Sequence, residues 1–423
     1  MTSNRDLLFN LLAKDRSLYT YQLPEEIVQL VLNYTIGTGY LFRREEPYVP
    51  EKLNINVQDI SKSFSITLLL TPDGQCYIKG NNDKNAFGIN AEEEYYISNK
   101  YPNICYYRND DENFDDDDFN EEYDEWFEKP LIITEFINIS ELKKPQLGDA
   151  YIVKIDTGFE HAMILTSDHK CYSFGSNSND QLGIGRDKES NQWNLIAENV
   201  FDIDCGSNYS CYLSLDNKLY IFGSLLRHDH VLGRTDIPTL VPWDSKITKI
   251  FATNFTMGFV SDNNLYVFGS NSKYKTGIQD SEIIYHPTII LDEFDSPIRD
   301  VMKLCCGHFH MCVLTDKYLY VCGSNRIGQL GLRDIEFVDR PRIHEQFVGD
   351  DKEVTDIATG PEYSFVIANK ICYGTGLNSY GGLSIGHREN VREFTSLPLF
   401  TPEFVKSIDT VRLLKNGIGL LVI

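Results

Sequence analysis

Short runs that end on a glycine return along this chain at a nearly fixed spacing: CYIKG (76–80), CYSFG (171–175), LYIFG (219–223), LYVFG (265–269), LYVCG (319–323) and ICYGTG (371–376). With Gly80, Gly175, Gly223, Gly269, Gly323 and Gly374 as markers, the intervals are 95, 48, 46, 54 and 51 residues, one double-length step and four near-regular ones. A period of this size constrains the fold more than any single motif, because each repeat must then be one supersecondary unit that leans on its neighbours.

The content of the unit is legible. A short apolar run precedes each marker (Val153 to Ile155, Ile203, Ile247 to Ile250, Val301 to Leu304, Val354 to Ile357), followed by a turn such as GFEH at Gly158 or GHFH at Gly307. A second run follows (AMILT, CYLSL, MGFVS, MCVLT, SFVIA). Two residues of turn chemistry, Asp216-Asn217 for example, then lead into the glycine-ended strand, which is hairpin spacing. Alternation gives each strand one face to bury, and the marker glycines suit tight turns or close backbone approach. A sheet of this kind cannot cover its own apolar faces, so radial stacking into a β-propeller supplies the neighbours. Phe404 to Ile423 opens like a further unit and stops before a glycine-ended strand.

The full pattern, V/I-x-x-I-x-x-G-x-x-H/Y, strand, turn, L/C-Y-x-x-G-S-N, Q-L-G, is most complete at Ile152 to Gly183, with Ser176, Asn177, Gln181 and Leu182. It is nearly as complete at Val301 to Gly331, with Ser324, Asn325, Gln329 and Leu330. On these residues the chain resembles the regulator of chromosome condensation repeat family. The resemblance implies an all-β, seven-bladed β-propeller over residues 41–423, with a final blade that mixes strands from both chain ends and draws on Gly39 to Phe42 or Leu53 to Val57. Three copies depart from the pattern in their loops: Ser224-Leu225-Leu226, the segment Tyr274 to Gly277, which lacks Q-L-G, and Gly382-Leu383.

Two segments have another texture. Residues 1–40 are expected to form a short helical appendage, because Ile27, Leu30 and Val31 share a helical face behind Pro24 and two glutamates. LPEEIVQLVLNY resembles the opening of an F-box, which would make Leu23, Pro24 and Ile27 contacts to a ubiquitin ligase scaffold; packing against the propeller is the other reading. The long interval holds an insertion over about 90–129. Asp110 to Glu128 carries 12 acidic residues in 19 with no Lys or Arg, which reads as a solvated loop. Its interleaved Phe114, Phe119, Tyr123, Trp126 and Phe127 offer a second reading, contact with a basic protein partner.

Charge and motifs bound the function. A net charge of -23 without a basic run argues against direct nucleic-acid binding. No window reaches the eighteen apolar residues of a membrane span, and the first residues lack a signal-peptide pattern. Cys76, Cys171, Cys322 and Cys372 fall in strand-like runs and no paired C-x-x-C spacing occurs, so the ten cysteines read as buried thiols in the cytoplasm or nucleus. His161 and His310 occupy the G-x-x-H slot, where an imidazole can bridge backbone groups between blades, and no acid or nucleophile recurs with them at a catalytic spacing. No phosphate-cradling or dinucleotide motif implies a cofactor. The expected function is therefore non-enzymatic protein binding, as scaffold, adaptor or substrate receptor. The alternative is guanine-nucleotide exchange on a small GTPase, an activity found in the resembled family that needs no covalent chemistry.

Overall fold

In the computed structural model the described residues are 28–33, 38–42, 51–53, 57–62, 65–82, 85–103, 105–107, 131–186, 190–225, 234–279, 281–349, 352–379, 383, 385, 387–397, 411–413 and 419–422. Six sheets follow one another along the chain, each an up-and-down antiparallel meander. The first comprises Asp59–Lys62, Ile66–Leu70, Cys76–Asn81 and Leu131–Asn138, with Cys105–Tyr107 added at its outer edge. The second comprises Ile152–Thr157, His161–Thr166, Cys171–Gly175 and Asn194–Ala197. The third runs Val200–Cys205, Tyr209–Ser214, Leu219–Ser224, Arg234–Leu240, and the fourth Ile247–Ala252, Thr256–Ser261, Asn264–Ser270, Ile283–Ile289. The fifth is Val301–Cys306, His310–Thr315, Leu319–Ser324, Phe337–Ile343, and the sixth Val354–Thr359, Tyr363–Ala368, Ile371–Gly376, Val391–Ser396.

These are six blades, and the expected count of seven is corrected. The strands near the two chain ends form a sheet of different construction. Val411–Leu413, Gly419–Val422, Val28–Asn33, Thr38–Phe42 and Glu51–Leu53 lie side by side, five strands rather than four, and Val28–Asn33 runs parallel to Gly419–Val422 at the centre. The chain ends do meet, but not in another copy of the antiparallel repeat. The same sheet overturns the helical appendage and with it the F-box reading, since Val28–Asn33 is a strand paired on both sides. A six-residue run rich in Val and Leu satisfies either periodicity, and two waiting neighbours decide for the strand. Leu23, Pro24 and Ile27 lie outside the described residues.

The core lies between blades. One apolar cluster spans the third to fifth blades, from Tyr209 through Phe259 to Met311, and another joins the first two, from Ile66 through Phe87 to Phe174 and Trp193. All six residues of the second strand are buried in blades two to six, because a central strand meets sheet neighbours on both sides and adjacent blades on both faces. The outer strands read poorly in the sequence for a physical reason. Pro238, Pro287 and Pro341 each sit in one, where a missing N–H is tolerated at a sheet edge; Pro238 and Pro287 are half-buried and Pro341 is buried.

The marker glycines hold the third strands against the turn before the second strand. Gly175 has φ +105, and a Cβ there would lie 2.6 Å from Glu160 O and 2.8 Å from His161 Cα. Gly323 repeats this with φ +97 and 2.5 Å to Phe309 O. Gly80, Gly223 and Gly269 also have positive φ. In the sixth blade the residue paired with Tyr363 at this place is Gly376, with φ +102, two positions beyond Gly374.

Candidate functional site: channel and loop face of the ring

The inner strands bring a band of charge to the ring axis. Lys154 Nζ pairs with Asp202 at 2.5 Å across the second and third blades, and Lys303 Nζ with Asp356 at 2.6 Å across the fifth and sixth. Asp156 accepts the Cys205 N–H (2.7 Å), Asp204 accepts the Ala252 N–H (2.7 Å), and Lys249 Nζ donates to Val301 O (2.8 Å). A cavity of about 230 Å³ on the axis draws lining residues from all six blades, among them Asp59, Lys154, Asp204, Phe251, Lys303 and Thr359. It falls below the roughly 300 Å³ at which small-molecule sites begin. Its charged groups join one blade to the next, which makes the channel a clasp for the ring.

The opposite design holds on the face that carries the turns after the inner strands. There the main chains are zipped together: Phe159 N–H donates to Ser207 O (2.9 Å), Ser207 N–H to Asn254 O (3.0 Å) and His308 N–H to Pro361 O (2.9 Å). Beneath the turns, His161 Nε2 lies 2.9 Å from Ser210 Oγ, and that hydroxyl donates to Gln181 O at 2.8 Å. His310 Nε2 repeats the contact with Ser364 Oγ (2.9 Å), which donates to Gln329 O (2.7 Å). A serine has one proton to give, and here the carbonyl takes it. Both imidazoles therefore donate from Nε2, which fixes the tautomer. Burial, with Lys275 nearby, pushes His310 down to about 3, so it stays neutral. Tyr209 fills the same slot in the third blade and donates to Thr256 O (3.0 Å).

The two slot histidines thus hold adjacent blades through a serine hydroxyl. They stand in separate seams, between blades two and three and between blades five and six, so no shared catalytic centre forms. His308 is in the turn itself, as a neighbour of Phe309. Sequence reasoning missed Lys275, which replaces the glutamine of Q-L-G in the fourth blade: it is 1% exposed and donates to Gly307 O at 3.4 Å. Burial holds its pKa below the ordinary lysine value. All ten cysteines are unbonded thiols. Among the described residues, no group of three or more His, Cys, Asp or Glu is placed to hold a metal ion.

The insertion in the first blade is part structure. Ala91–Lys100 is a helix opened by a capping box, in which Asn90 and Glu93 satisfy each other's backbone N–H, and Cys105–Tyr107 then pairs with Leu131–Asn138. Residues 91–100 and 105–107 of the insertion expected over about 90–129 are thus regular structure, and the acidic stretch Asp110 to Glu128, expected as a solvated loop, lies outside the described residues. Phe114, Phe119, Tyr123, Trp126 and Phe127 lie outside the described residues, between the paired ends Tyr107 and Leu131. Lys143 bolts the helix down. It is 3% exposed, donates to Gly88 O (2.7 Å) and Glu93 (2.8 Å), and sits 5.7 Å from the Trp193 ring. Removing one partner of a buried pair strands the other charge. Glu93→Ala should therefore cost about 3 kcal/mol and open residues 91–100 to protease, and adding Lys143→Met should recover most of the loss. Denaturant melts of the three proteins check this; equal stability of Glu93→Ala and the parent would contradict the anchoring role.

With the seams in view, two segments of the chain can be compared with known repeats, residues 152–181 and 316–367. Both match the Regulator of chromosome condensation (RCC1) repeat. The first segment covers the second blade as far as Gln181, and the second runs from the hairpin of the fifth blade into the sixth. Mouse X-linked retinitis pigmentosa GTPase regulator is 27% identical over 301 residues, 57% of this chain and 30% of that protein. Human probable E3 ubiquitin-protein ligase HERC3 is 23% identical over 253 residues, 58% of this chain and 19% of that protein. The crystal structure of Prp20p from Saccharomyces cerevisiae, described together with its binding properties to Gsp1p and histones, superimposes with a TM-score of 0.65. It covers 96% of this chain and 92% of that one at 14% identity, a likeness of fold. The chain spans between 12% and 42% of the length of the first curated relatives it matches. No helix among the described residues is long and apolar enough to cross a membrane.

Proposed function

We propose that this chain acts by binding a protein on the loop face of its ring, and that the partner is a small GTPase whose nucleotide-free state it favours. The observation that carries the reading is the zipped row of turns on that face. It presents side chains such as Phe159, 50% exposed, from a rigid surface, which is what differential binding of one partner state requires. The ranking of the sequence reading, scaffold before exchange, is reversed here because a relative matched over more than half of this chain is named as a GTPase regulator. Ten thiols without disulfides fit a nuclear or cytoplasmic setting. A nuclear-type small GTPase loaded with fluorescent guanine nucleotide should release it faster at substoichiometric amounts of this protein, and Phe159→Asp should abolish the effect. Unchanged release at any dose would overturn exchange.

A second reading, a receptor or scaffold, draws on the match to a ubiquitin ligase. It predicts a stable complex on the same face with no nucleotide release, so the same assay combined with sedimentation separates the two.

A further inference from the structure

The helix in the first blade leaves a groove against the blade's outer strand that already holds an ammonium group. Its wall on one side is Tyr96, Lys100 and Tyr101, and on the other Ile137, Glu141 and Leu142; the cavity measures about 250 Å³. Lys100 Nζ lies 5.2 Å from the Tyr96 ring centroid, 5.3 Å from that of Tyr101, and 3.4 Å from Glu141 Oε2. Two aromatic faces and a carboxylate around one cation are the arrangement by which proteins select lysine and arginine side chains. Here the cation comes from the chain itself, one helical turn after Tyr96.

Several features show the groove open to visitors. Tyr96 is 49% exposed and Tyr95 72% exposed, although Ile97 between them and the blade is buried. Glu141 keeps 64% of its side chain in water and Lys100 37%, so their pairing is of the surface kind that contributes little and exchanges readily. Glu92 and Glu93 also line the cavity; Glu93 is already paired with Lys143, which leaves Glu92 and Glu141 as the carboxylates that face Lys100 alone. The volume suits one extended side chain better than a cofactor. A net charge of -23 for the chain makes approach of a cationic segment favourable and of a polyanion unfavourable.

We propose that this groove is a docking site for a lysine- or arginine-rich segment of a protein partner, with Lys100 as the resident side chain that the partner's cation displaces. The site rests on the protein-binding reading and is separate from the loop face, so either can fail alone.

The test uses the full chain and a fluorescein-labelled peptide of alternating Lys and Ser, read by anisotropy at low and physiological salt. Tyr96→Ala and Glu141→Gln should each weaken binding about threefold, the size of an exposed cation–aromatic contact or ion pair. Lys100→Ala empties the cage and should tighten binding about threefold, whereas Lys218→Ala, which removes a charge remote from the helix, should leave it unchanged. Deleting residues 110–128 should reduce the salt-dependent part and preserve the Tyr96→Ala effect. Equal tightening by Lys100→Ala and Lys218→Ala, or loss of all binding on the deletion with no effect of Tyr96→Ala, would show attraction by charge alone and overturn the groove. Nucleotide release measured on the same variants should not change, so failure here leaves the GTPase reading standing.

Discussion

Acidification from pH 6.5 towards pH 4 is expected to weaken the ring by several kcal/mol, and two buried histidines should account for a large part of it. His344 is 3% exposed, edge-on to Phe394 and tilted against Phe347, and burial brings its pKa down to about 4. His310 is lowered to about 3 by burial and by Lys275. An unfolded chain protonates both near pH 6.5. Between that value and the folded pKa the unfolded state binds more protons, so stability is fully present above pH 6.5 and is lost as pH falls through about 4 and then about 3. His344 alone corresponds to roughly 3 kcal/mol at about 1.4 kcal/mol per pKa unit. Carboxylates contribute as well, so the decisive measurement is a difference. Urea melts across this range should give a shallower pH dependence for His344→Phe, which keeps a ring in the same apolar pocket, and for His344→Leu. Curves parallel to that of the parent for both variants would show that the imidazole does not titrate on unfolding.

How far the sequence led depends on which residues carried a local signal. The inner three strands of each blade were readable because burial on both faces leaves alternating Val, Ile, Leu and aromatic residues, and because Gly175 and Gly323 have no room for a Cβ. The outer strands were not, since Arg234–Leu240 or Phe337–Ile343 is half exposed, carries a proline and is fixed mainly by pairing to its neighbour. The insertion helix had a signal that went unused: Asn90 followed by Glu93 is the start of a capping box. Lys143, which holds that helix, lies some fifty residues later in the chain and could be placed only by the fold. The slot histidines were expected to bridge backbone groups between blades; their partners are instead the hydroxyls of Ser210 and Ser364, each the residue after the slot tyrosine of the next repeat. Lys275 looked like a gap in the Q-L-G pattern; in the structure it keeps the buried slot and changes its charge.

Severing the sheet that joins the chain ends should have the largest effect of any change considered. Gly419–Val422 is central in it, pairing antiparallel with Val411–Leu413 on one side and parallel with Val28–Asn33 on the other. Val411–Leu413 in turn lies beside the inner strands of the sixth blade, Val354–Thr359 and Tyr363–Ala368. Removing residues 411–423 would leave the long edge of Val28–Asn33 without its partner and uncover the inner strands of the sixth blade. Open strand edges recruit other chains. The expected result is loss of the single cooperative melt, or a protein that sediments as aggregates rather than as a monomer. Because such a truncation can fail at folding, Leu421→Pro offers a graded version: Leu421 is paired with both Leu30 and Arg412, and proline in a central strand removes a donor and clashes, at about 3 kcal/mol or more. At about 2.1 cal/mol/K of unfolding entropy per residue, each kcal/mol lowers the melting temperature of a chain of this length by about 1 °C, so a fall of roughly 3 °C or more is expected by calorimetry. A truncated protein that stays monomeric and melts with the parent's cooperativity would show that six blades hold the ring without this sheet.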